Sequence, residues 1–96
     1  MALVEQKDWM VLNVEVRERK AEYKFRIAVG DGSQHFQWLG NVAAQRYAKC
    51  HPQFHKYQFT CVNILQDDGT VFFPFERINE CLQDNSTVSI ELLGKP

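Results

Sequence analysis

Residues 22–29 read EYKFRIAV and residues 34–50 read QHFQWLGNVAAQRYAKC, and the change of period between them decides the fold class. In the first stretch Tyr23, Phe25, Ile27 and Val29 alternate with Glu22, Lys24 and Arg26, the period-two pattern of a strand with one buried face. In the second, Phe36, Leu39, Ala43, Tyr47 and Cys50 recur at helical spacing. Val42 widens that stripe, and Gln37, Asn41, Gln45 and Lys49 fall on the opposite face. Gly30-Asp31-Gly32-Ser33 breaks the strand and offers Ser33 or Asp31 as the helix N-cap. Gly40 inside the helix costs about 1 kcal/mol relative to alanine, and its missing side chain suits a close approach to a sheet. Pro52 stops the helix, because the residue before a proline avoids helical geometry.

Working outward, residues 9–16 read WMVLNVEV, with Met10, Leu12, Val14 and Val16 on one face. The polar link 17–21 joins this strand to the next as a hairpin. Beyond the helix, the loop 51–58 carries Phe54-His55-Lys56-Tyr57, which plugs one end of the core. Residues 59–65 form a third strand whose register is open: Phe59, Cys61, Asn63 and Leu65 compete with Thr60, Val62 and Ile64 for the inward face. Gln66-Asp67-Asp68-Gly69 is a turn, 70–73 a short fourth strand stopped by Pro74, and 75–82 one helical turn with Ile78 and Leu82 inward. After the turn 84–86, residues 87–93 read TVSIELL and bury Val88, Ile90 and Leu92. The order β-β-α-β-β-(short helix)-β describes an α+β domain: one mixed sheet with one helix packed on one face.

The chain has 96 residues, 45% of them hydrophobic and 24% charged, which fits one globular domain with one core and excludes a disordered chain. The net charge of −1 argues against a general polyanion binder. Residues 1–50 hold eight Lys/Arg against six Asp/Glu, and residues 51–96 three against six, so a basic-to-acidic polarity runs along the chain. No apolar run is long enough for a membrane span, and the polar stretch Met1 to Asp8 lacks the apolar core of a signal peptide. The three cysteines do not make a disulfide framework. A cytoplasmic protein is expected, with an N-terminal arm at 1–8, the domain at 9–93 and a C-terminal tail at 94–96.

The element order over residues 9–93 resembles the ubiquitin-like (β-grasp) superfamily. The most specific part is Asp68-Gly69, a short strand, a loop, and then Leu82-Gln83-Asp84-Asn85-Ser86-Thr87-Val88-Ser89-Ile90, where a small acidic turn precedes a Thr-Val strand. Doublecortin-like and ubiquitin-related interaction domains share that layout. The chain ends Leu92-Leu93-Gly94-Lys95-Pro96 without the diglycine of a conjugated modifier. The resemblance therefore implies a non-conjugated domain whose work is to bind proteins.

Candidate chemistry is sparse. Backbone amides at the Gly30–Ser33 strand-to-helix junction suit phosphate, yet GDGSQ lacks both the dinucleotide fingerprint and the Gly-Lys-Ser/Thr of a P-loop. Cys50, His51, His55 and Cys61 are zinc-type ligands at a spacing unlike that of a CxxC knuckle. Cys50 beside His51 has the composition of a thiol nucleophile with a base, but no residue is placed to orient the histidine. Asp67, Asp68, Glu76 and Glu80 read as solvated turn and surface residues. No catalytic residue, metal or cofactor is expected.

Two surfaces point to a protein partner. Arg17, Arg19, Lys20, Lys24 and Arg26 crowd one hairpin against Glu18 and Glu22 alone, and would steer a partner with an acidic surface. If Met10 and Leu12 face the helix, Trp9 and Val11 face out, as does Leu93; on paired central strands these make an apolar docking patch. The expected binding residues are Trp9, Val11, Lys20, Lys24, Arg26 and Leu93. The expected function is a non-catalytic protein–protein interaction module, a monomer or weakly self-associating, with no nucleic acid or membrane partner. Two alternatives stand beside it: a cytoskeleton-associated or self-associating adaptor of doublecortin-like type, and a small Cys/His metal protein or thiol enzyme.

Overall fold

In a computed structural model that describes residues 9–96, the two period-two segments become β1 (Val11–Arg17) and β2 (Glu22–Ala28). They pair antiparallel from Val11↔Ala28 to Arg17↔Glu22, so Leu12, Val14 and Val16 share a face with Ile27, Phe25 and Tyr23. Helix α1 (Phe36–Cys50) lies across that face. A 3-10 turn at Pro52–Phe54 leads to β3 (Gln58–Gln66), a short helix α2 (Ile78–Cys81) follows, and β4 (Thr87–Lys95) closes the domain. The sheet is four-stranded and mixed, in the order β2-β1-β4-β3, with β4 parallel to β1 at the centre and antiparallel to β3 at the edge. This is an α+β domain of β-grasp-like layout. The expected N-terminal arm, residues 1–8, lies outside the described residues. Among the described residues no helix is long and apolar enough to cross a membrane.

The core follows the two periods. Phe36, Leu39, Ala43 and Tyr47 of α1 are fully buried against Leu12, Val14, Val88 and Ile90 of the central strands. Cys50, the last member of the sequence stripe, is exposed. Ile78 and Leu82 are buried, as their spacing implied. Gly40 marks where α1 presses on β3: a Cβ there would lie 2.8 Å from Cys61 Sγ.

The helix N-terminus is capped differently from the sequence expectation. The N-cap position is His35, and no side chain caps it. The Phe36 amide donates to Glu76 O and the Gln37 amide to Pro74 O, each at 3.0 Å. A distant loop thus takes the orphan donors that Asp31 or Ser33 was expected to serve. Asp31 instead accepts the Ser33 amide within its own turn. The Gly32 amide donates to Val29 O as well, so the helix amides and the Gly32 and Ser33 amides of the junction are already bonded within the fold and not turned to a phosphate.

Three further differences concern strands. The open register of β3 is resolved by a bulge: Cys61 pairs with Leu92 and Asn63 with Glu91, leaving Val62 as the extra residue. Phe59 and Cys61 therefore pack inward before the bulge and Ile64 after it, so both competing registers are used. The expected fourth strand at 70–73 shrinks to a single bridge, Leu65↔Val71. Pro74 has no amide to continue the ladder, and its carbonyl is drawn to α1. The tail expected at 94–96 begins later, because β4 runs to Lys95. Gly94 makes that extension possible: a Cβ there would meet the Phe59 ring at 2.7 Å.

Candidate functional site

The outward sheet face does not form the apolar patch expected from Trp9, Val11 and Leu93. Trp9 and Leu93 are exposed at 47% and 44%, but Val11 is buried at 8%. Its amide donates to Asp84 Oδ1 and its carbonyl accepts the Asn85 amide, so the 84–86 turn folds over the start of β1. Trp9 precedes β1, whereas Leu93 lies past the level at which Arg17 pairs with Glu91. The parallel register puts roughly ten residues of strand, ~33 Å, between them.

The basic hairpin is also compensated. Across the outward face Lys24 stands opposite Glu15, with an ion pair at 3.3 Å, and Arg17 is flanked by Glu22 and Glu91. Arg26 donates to Asn85 Oδ1 at 3.1 Å. Bases and acids are thus interleaved on this face, and the bases do not stand together as one uninterrupted positive patch.

Lys20 is committed elsewhere. Its ammonium lies 2.9 Å from Glu18 Oε1 and 3.9 Å from the centre of the Tyr57 ring. Glu18 accepts the Lys20 amide at 2.7 Å and the Tyr47 hydroxyl at 2.7 Å, beneath a cage that includes Phe54 and Phe59. Burial alone would raise the Glu18 carboxyl, but the bonds from Lys20 and Tyr47 outweigh it and hold the group below the usual carboxylate value. Burial, then the Glu18 carboxylate, pushes the Tyr47 phenol up. This network seals the end of the core that the aromatic loop was expected to plug.

The cysteine–histidine set is dispersed. Cys50 Sγ donates to Tyr23 Oη at 3.2 Å, His51 Nδ1 lies 2.7 Å from Tyr47 O, and Cys61 sits under Gly40. Burial raises the Cys61 thiol. Burial and the Glu76 carboxylate push Cys81 up to about 11, the reverse of what a nucleophilic thiol needs. Among the described residues no three His, Cys, Asp or Glu side chains gather as a metal site.

What the fold builds instead is a groove of about 710 Å³ between α1 and the outer edge of β3. Gln37, Asn41 and Gln45, one helical turn apart, form one wall; Thr60, Cys61 and Val62 form the other. Val71, Phe73 and Pro74 close the end. No lining residue carries a formal charge. Beside it Phe73 is 56% and Phe75 73% exposed, their rings stacked at 5.5 Å and 11°. Val62 and Val71 are exposed at 50% and 48%. No family model and no curated protein sequence matches this chain. The groove and its rings therefore stand on geometry alone.

Sequence reasoning missed Phe73, Phe75, Val62 and Val71. One signal was present: residues 71–75 read VFFPF, and adjacent residues of an extended chain point to opposite faces. Phe72 takes the core, stacked on Phe36 at 4.5 Å, so Phe73 must point away from it.

Proposed function

We propose that this domain is a protein-interaction module without chemistry of its own, docking through the α1–β3 groove and the rings of Phe73 and Phe75. The observation that carries the reading is the exposure of two stacked phenylalanines beside an uncharged groove. Solvent-exposed aromatic pairs of this kind are costly to leave uncovered and are typical interface anchors. The three free cysteines fit a reducing, cytoplasmic setting. The outward sheet face supports the reading less well, since its bases are interleaved with acids and its apolar residues are separated.

The test is affinity enrichment from cytosol with quantitative comparison of the wild type, Phe73→Ser/Phe75→Ser, and Lys24→Glu/Arg26→Glu. Partners lost only from the phenylalanine variant locate the site at the groove. Loss only from the charge-reversed variant returns the site to the sheet face. Partners that ignore both variants refute docking at either place.

A further inference from the structure

The two edges of the sheet are protected unequally. The β2 edge presents Glu22, Lys24 and Arg26, all exposed, and such charges discourage another strand from pairing there. At the other edge, residues 58–62 of β3 read QFTCV, with neither a charge nor a proline. Among the described residues, backbone bonds reach that outer edge only near its C-terminal end. There the Phe72 amide donates to Ile64 O at 2.9 Å and the Gln66 amide to Thr70 O at 2.8 Å. The chain thus begins to add a fifth, antiparallel strand to β3. It leaves at Pro74, whose carbonyl turns away to the helix N-terminus. The line of that strand continues, unoccupied by any described strand, past Val62 to Gln58 and along the mouth of the groove.

We infer that this vacated edge, Gln58–Val62, takes an extended segment of a partner protein as an antiparallel strand, with alternate side chains seated in the α1–β3 groove. The inference deepens the interaction-module reading and rests on it. Main-chain bonds to β3 supply affinity, and the groove selects side chains. The chemistry of the segment follows from the lining. Alternate positions facing the groove are apolar or small, because no charged residue waits there to pair. Gln37, Asn41 and Gln45 lie along the helix wall with amide donors and acceptors for the segment's outer polar atoms. An antiparallel segment starts beside Phe73 and Phe75 and ends beside Gln58, close in sequence to exposed Lys56. An apolar residue is therefore favoured first and an acidic one last. A second copy of the chain is a poorer occupant, because the bulge at Val62 bends the edge away from the straight ladder that pairing of two β3 strands requires.

The experiment uses the intact chain and a phage-displayed random dodecapeptide library, followed by synthesis of the selected peptide. Binding is read by fluorescence polarisation, and backbone protection by hydrogen exchange. We expect selected peptides with alternating apolar residues. N-methylation at every second amide weakens binding about tenfold or more while methylation between them is tolerated, since each blocked amide forfeits a ladder bond. Val62→Glu weakens binding by a similar factor, and its half-exposed position leaves the fold intact by thermal melting. Exchange at 58–62 slows on binding.

Binding that is lost in Phe73→Ser/Phe75→Ser but ignores N-methylation, with no protection at 58–62, overturns strand addition while leaving the interaction module standing. Selected peptides with helical spacing overturn it too. So does protection at 58–62 that grows with protein concentration in the absence of peptide, which assigns the edge to a second copy. A library that yields no binder counts against both readings.

Discussion

The two ends of α1 carry aromatic clusters of similar size and opposite character. At the C-terminal end Tyr47, His51, Phe54, Tyr57 and Phe59 surround a buried acid and a captured base. At the N-terminal end Phe36 and Phe72 stack inside, but Phe73 and Phe75 stack in solvent. The first cluster is closed around its polar atoms: Tyr47's hydroxyl, Glu18's oxygens and Lys20's ammonium satisfy one another, and Tyr57, 37% exposed, lies over the ammonium. The second is half open. Aromatic content alone therefore does not mark a binding site. The useful distinction is whether the rings and the polar atoms around them are already spent on the fold.

The largest expected effect lies at the closed end. Tyr47→Ala removes a fully buried ring and strips a donor from Glu18. Urea unfolding should show a loss of about 3–5 kcal/mol, the range for emptying an aromatic core position. A loss below about 1 kcal/mol would mean that this end is not closed, and the contrast would fail.

Gly40→Ala probes the stretch between the two ends. The added methyl meets Cys61 Sγ at 2.8 Å and its Cβ at 3.0 Å. Overpacking costs about 1–3 kcal/mol against a propensity gain of about 1 kcal/mol, so net destabilisation is expected. A stabilised variant would show that α1 moves easily off β3 and that the groove is adjustable.

Acid titration sharpens the comparison further. The Glu18 carboxyl is held below its unfolded value, so its contribution is present above about pH 4.5, the unfolded value, and is lost as the pH falls through the folded one. Denaturation midpoints should therefore decline faster with acid in the wild type than in Glu18→Gln, which is less stable at neutral pH. Parallel pH curves would sink the assignment of Glu18 as the ionised centre of this network.

The smallest effect on stability belongs to the open end. Phe73→Ser/Phe75→Ser should change unfolding free energy by about 0.5 kcal/mol per site or less, as for other exposed positions. A loss approaching that of Tyr47→Ala would show that these rings serve the fold and not a partner.

Much of the fold was legible from local pattern. Leu12, Val14 and Val16 alternate because β1 has one buried face, and Phe36, Leu39, Ala43 and Tyr47 recur because α1 has one buried stripe. The candidate site was not legible in the same way. Val11 and Trp9 share a face by parity, yet Val11 is buried where the 84–86 turn bonds it and Trp9 is 47% exposed. Lys20 reads as one of five hairpin bases, yet a loop more than thirty residues on supplies the rings that hold it.

The sequence by itself determined the number and kind of most elements, the faces of β1, β2 and α1, and the α+β class. It did so because side-chain direction repeats with backbone period, a property of adjacent residues. Tertiary structure alone decided where Val62 bulges, which carbonyls cap α1, that Trp9 and Leu93 stand at opposite ends of the sheet, and that the edge of β3 opens onto a groove. Each of these depends on the register between segments distant in the chain. Register is set by how the assembled faces pack, and the local period does not contain it.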